Sequence, residues 1–131
     1  MTFSSIQTIN ERLAIEVMGW EDLGDEHTYI GDEINVFWKR RDGKLTVIND
    51  EFPHLMYEWN PMESIEQAMM VVEKMCQTYN SLELHIWRGS SVDPKAISAQ
   101  AIFTHEGDKY LENAETPAEA ICLAAIKALE G

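Results

Sequence analysis

Four of the ten positively charged residues, Lys39, Arg40, Arg41 and Lys44, fall within six positions around Asp42-Gly43. Asp-Gly between alternating apolar residues is a strong hairpin signal. Residues 34–41 and 44–49 are therefore expected strands, with the cations at their tip. A two-residue type I′ turn would set Arg41 opposite Lys44, and directly opposed like charges in a strand pair cost up to ~1 kcal/mol. An incoming anion would relieve that repulsion. So would the chain's own carboxylates, with the long side chains splayed into water. The same register puts Phe37 on the face of Lys39 and Arg41, and assigns Ile34, Val36, Trp38, Leu45 and Val47 to the core face. Trp87 falls on the polar side of an expected strand over 82–88, next to Arg88. An aromatic surface beside guanidinium groups is what stacking a nucleobase and holding its phosphate requires. The candidate ligand-binding residues are thus Phe37, Lys39, Arg40, Arg41, Lys44, Trp87 and Arg88.

Other chemistries find less support. His27, His54, His85 and His105 are scattered, and none lies at metal-ligand spacing from another His or from Cys. No nucleophile elbow occurs, and Cys76 and Cys122 both fall on apolar helical stripes, which reads as two reduced core thiols. The run 21–33 holds six carboxylates but lacks the alternation and glycine position of an EF-hand loop, so it is expected to be a solvated loop. No catalytic residue, metal site or cofactor is expected, and the chain reads as a binding protein rather than an enzyme.

The 131 residues carry 23 acidic and 10 basic side chains, a formal net charge of -13 and a pI near 4.5. Such a field repels phosphate backbones, so ordinary nucleic-acid binding is disfavoured. It either keeps the protein soluble or imitates DNA toward a basic partner. The N-terminus has no basic leader pattern, and no apolar run is long enough to cross a bilayer. A cytoplasmic protein of one domain, 1–131, is expected.

Positioning these residues takes a small set of elements. The stretch 61–79 reads as an amphipathic helix with Ile65, Ala68, Met69, Val71, Val72, Met75, Cys76 and Tyr79 on one broad face. Ser4, Ser5 and Gln7 suggest an N-terminal capping box for a first helix over 6–18, which Gly19 ends while Trp20 closes over its last turn. Residues 50–60 lack a clean period and contain Pro53, which predicts a connection packing Phe52, Leu55, Tyr57 and Trp59 at a sheet edge. Strands 82–88 and 97–104 form a second antiparallel pair, followed by a polar stretch around Gly107. Thr116-Pro117-Ala118-Glu119 opens the last helix with three coincident N-terminal preferences. The order is α-β-β-α-β-β-α, an α+β sandwich with a mostly antiparallel sheet covered by helices. Ile15, Met70 and Leu123 each project off their helix's apolar stripe, which suggests an interface in a homo-oligomer.

Met18-Gly19-Trp20, the segment Trp59-Asn60-Pro61 leading into Val71-Val72-Glu73-Lys74, and the run from Thr116-Pro117-Ala118-Glu119 to Ala124-Ala125 together resemble the phage ABA sandwich domain family. That resemblance implies a small α/β sandwich encoded by phages or prophages, an accessory protein with no catalytic residues to carry over. Where that family often has Trp, this chain has Met69. The functional expectation is a non-enzymatic, oligomeric module that sequesters a small phosphate-bearing molecule, such as a nucleotide signal of host defence, in the host cytoplasm. The alternative is an acidic protein-protein inhibitor or DNA mimic acting on a host protein.

Overall fold

A computed structural model of the chain describes residues 3–25, 33–50, 55–88 and 97–131, and the side chains among them except those of residues 3–5 and 97. His27, His54, Phe52, Pro53 and the loop holding Asp93-Pro94 lie outside this description, whereas Ser4 and Ser5 fall inside the first helix, which begins at Phe3, so that helix does not start after a Ser4-Ser5 cap. The chain divides into two compact units, Met1–Asn60 and Pro61–Gly131.

In the first unit, α1 (Phe3–Arg12) passes into a π turn over Leu13–Val17, closed by the Met18 amide donating to the Leu13 carbonyl at 3.0 Å. Gly19 then takes φ +73, which glycine adopts without the Cβ clash other residues meet. Trp20 folds back, its amide 3.0 Å from the Ala14 carbonyl and its ring buried. The expected C-terminal closure is therefore present, around a wider last turn.

A four-stranded sheet follows in the order β1 (Glu21–Asp25), β2 (Val36–Lys39), β3 (Leu45–Ile48), β4 (Tyr57–Trp59). Two of these strands were not expected. The acidic run begins as β1, parallel to β2, with a break in register at Gly24, where the Asp22 carboxylate accepts the Gly24 amide at 2.8 Å. The connection after Asp50 ends in β4, antiparallel to β3. β2 and β3 are central strands with a neighbour on each side, and all their residues but the partly exposed Lys39 are buried, on both faces of the sheet. Phe37, Leu45 and Val47 share one face with Trp59. Val36, Trp38 and Ile48 form a cluster with Leu23 on the other. The expectation of one buried and one solvated face fails for this reason: Phe37 and Ile48 have no exposed surface, while Ile34, assigned to the core, is 43% exposed.

The second unit holds α2 (Ile65–Met75), β5 (Ser81–Arg88), β6 (Ile97–His105), β7 (Asp108–Ala114) and α3 (Pro117–Glu130). The Ser64 hydroxyl caps α2 by accepting the Gln67 amide, and the Thr116 hydroxyl caps α3 by accepting the Glu119 amide at 3.2 Å. The buried stripe of α2 is narrower than its periodicity suggests. Ala68, Val71, Val72 and Met75 are buried, but Ile65 and Met69 are nearly half exposed and Cys76 is exposed. A helix packing on one other helix, as α2 does on α3, covers less of its circumference than one lying on a broad sheet.

The pair β5–β6 runs antiparallel over eight consecutive partners, as expected. The polar stretch after it is a third strand, β7, joined to β6 by the two-residue turn Glu106-Gly107, in which both residues have positive φ. Its signal is weak in sequence because glutamate is not a favoured residue at that φ. The Asn80 side chain supports the turn by accepting the Glu106 amide at 2.9 Å. On the helix side of this sheet stand Ala99, Ala101 and Phe103, and the buried alanines of α3 let its backbone approach them closely. The class is α+β, with helices packed on mostly antiparallel sheets.

Candidate functional site

The basic hairpin does not close with a two-residue turn. Lys39 pairs with Leu45, and Arg40 donates its amide to the Lys44 carbonyl at 2.8 Å. Arg41, Asp42 and Gly43 form a three-residue loop, with the Gly43 amide on the Arg40 carbonyl at 2.9 Å and Gly43 at φ +86. This is the geometry of a type I turn with a glycine bulge, and it moves the register by one residue. Arg40, not Arg41, faces Lys44.

The shift re-sorts the expected site. Phe37 lies under the sheet and cannot stack a ligand. Trp38 and Thr46, now cross-strand partners, share the opposite face with Glu58. There, Trp38, Arg40, Thr46, Met56, Tyr57 and Glu58 line an open groove of about 370 Å³, a volume in the range of small-ligand sites. Neither the register nor the strand character of 57–59 is evident from the hairpin signal alone, so most of this groove escapes sequence reading. The Tyr57-Glu58-Trp59 alternation was the available hint.

Each of three tip cations has a carboxylate from its own unit. Lys39 Nζ lies 3.5 Å from Glu11, Arg40 2.7 Å from Asp42, and Lys44 Nζ 3.8 Å from Glu58. These are exposed pairs, so each contributes little to stability and yields readily to a better anion. Asp42 Oδ1 also accepts the Lys44 amide at 3.0 Å. That hydrogen bond, with the charge of Arg40, holds the Asp42 carboxyl below its ordinary range.

Trp87 and Arg88 belong to the second unit, at the end of β5, where Trp87 is 44% exposed. Of the residues expected at an oligomer interface, Ile15 is exposed and Met70 and Leu123 are half-buried. His105 keeps Nδ1 buried and without a hydrogen-bond partner, against the ring of Tyr79 at 5.2 Å. Among the described residues, no three His, Cys, Asp or Glu side chains gather as a metal site. Both thiols are free. Cys122 is buried, which pushes its pKa up, whereas Cys76 sits exposed at the end of α2, not in the core where its stripe placed it.

A family described as the Phage ABA sandwich domain matches residues 11–126, most of the chain and parts of both units. The chain belongs to this family. Its fold is similar to the crystal structure of a phage protein from Bacillus cereus ATCC 14579, with 20% identity, a TM-score of 0.51 and coverage of 96% of this chain and 88% of that one. No curated protein sequence matches it. Among the described residues, no helix is long and apolar enough to cross a membrane.

Proposed function

We propose that this phage-family protein is a non-enzymatic binding module that sequesters a small phosphate-bearing molecule of the host cytoplasm, such as a nucleotide signal of defence. The supporting observation is the groove lined by Trp38, Arg40, Thr46, Met56, Tyr57 and Glu58, in which Trp38 is buried and the open apolar and aromatic surface is that of Met56 and Tyr57. A nucleotide needs an apolar, aromatic surface for its base and a donor fork for its phosphate. Here the fork is Arg40, which lies 2.7 Å from the exposed Asp42 carboxylate. A phosphate group, with more charge and more acceptors, displaces that carboxylate. Lys39, Lys44 and Arg41 raise the local positive potential on an otherwise acidic chain. In this reading the ligand is held and not converted.

The test is a thermal-shift panel of mono-, di- and cyclic nucleotides. A ligand at ~100 times its Kd stabilises by ~2.7 kcal/mol, several degrees for a chain of this size. The shift is expected to vanish in Arg40→Ala, and the ligand to be recovered intact after denaturation. No shift with any nucleotide, or recovery of a converted product, overturns the proposal.

A second reading is favoured by β1, an edge strand on which Glu21, Asp22 and Asp25 are exposed. In it, the acidic surface docks on a basic host protein as an inhibitor or DNA mimic. Binding of that kind weakens steeply with added salt.

A further inference from the structure

We propose that β5 pairs edge to edge, antiparallel, with β5 of a second copy of this chain, joining two three-stranded sheets into one of six strands. β5 lies at the edge of its sheet, and no described strand pairs with its outer side. Edge strands in soluble proteins are usually protected by a bulge, a proline, a lysine or a covering element. Among the described residues, β5 carries no bulge, proline or lysine: its register with β6 is unbroken over eight residues, and its sequence, SLELHIWR, confines charge to Glu83 and Arg88. Ile86 is 57% exposed and Trp87 44%, so apolar surface is open on both faces of one strand. The opposite edge differs. On β7, Lys127 of α3 donates to the Leu111 carbonyl at 3.2 Å and lies 3.4 Å from Glu112, and Asp108 and Lys109 add charge.

The occupant follows from what β5 itself presents. A two-fold axis normal to the sheet pairs residues of like face, so the central residue must face its own copy. Centring the axis on Leu84 sets Glu83 against His85 of the second copy, twice, so each imidazole meets a carboxylate. On the other face, Leu82 meets Ile86, Leu84 meets Leu84, and Ile86 meets Leu82, which covers Ile86, while Trp87, on the face of Glu83 and His85, stands opposite Ser81. Centring on His85 would instead oppose the two imidazoles and set Leu82 against Arg88. The Leu84 register is therefore the complementary one. It is distinct from Ile15, Met70 and Leu123, and does not depend on ligand binding in the groove.

Sedimentation of the full chain over a range of concentrations tests the pairing, with Ile86→Lys as the disrupting variant. Dimers are expected for the unaltered chain, with association weakened about tenfold or more in the variant and an unchanged far-ultraviolet spectrum. In a Cys76→Ser background, Leu84→Cys is expected to form a disulfide-linked dimer under mild oxidation, and Ile86→Cys is not. A monomer at every concentration, a dimer indifferent to Ile86→Lys, or crosslinking at 86 in place of 84 overturns the proposal.

Discussion

Trp59 of β4 donates its indole N–H to the carbonyl of Asn10 in α1 at 2.9 Å, and its ring meets the edge of Trp20 at 4.7 Å. One side chain thus joins the helix, the closing turn after it and the last strand of the first sheet. Asn10 reinforces the link by donating its side-chain amide to Asn60 at 2.9 Å. Trp59 is 1% exposed, so no water replaces its partner if the donor is lost.

Trp59→Phe keeps most of the apolar volume and removes the donor. It is expected to destabilise the protein by about 1–3 kcal/mol, the cost of a buried hydrogen bond plus the gap left by the smaller ring. Equilibrium urea denaturation, read as a lower midpoint at unchanged slope, checks it. A variant as stable as the unaltered chain would remove this link from the account of the fold.

Asp42 governs both the turn and the availability of Arg40. Its carboxyl titrates lower in the folded chain than its ordinary 3.8, chiefly because it accepts the Lys44 amide, with Arg40 adding to the effect. The stability it supplies is complete above the unfolded value and is lost as pH falls through the folded one. Asp42→Asn keeps an acceptor for the Lys44 amide but frees Arg40. The stability difference between the two proteins is expected to be constant above about pH 5 and to shrink below pH 4. If the groove takes a phosphate, the same variant binds nucleotide more tightly, which titration calorimetry would detect.

The two cysteines should separate cleanly in reactivity. Cys76 is exposed and Cys122 is buried with its pKa pushed up by burial, then by the nearby Glu119 charge. Because the thiolate is the reactive form, a thiol-specific reagent should titrate one group per native chain and a second only after unfolding. Two fast groups in the native protein would contradict the packing of α3.

Local chemistry alone determined a good deal of this protein. The Thr116-Pro117 start of α3, the Gly19 closure, the β5–β6 pair and the α+β class follow from capping, positive φ and alternation, all of which act over a few residues. What only the tertiary structure decided is the neighbourhood of each strand. Nothing within residues 37–47 states that β1 and β4 flank the hairpin or that both of its faces are buried. A glycine bulge costs the chain so little relative to a tight turn that the Asp42-Gly43 signal permits either register. That one-residue choice moved Phe37 inside and brought Trp38, Thr46 and Arg40 to one groove. It depends on which side chains pack against α1, at a sequence distance no local rule reaches.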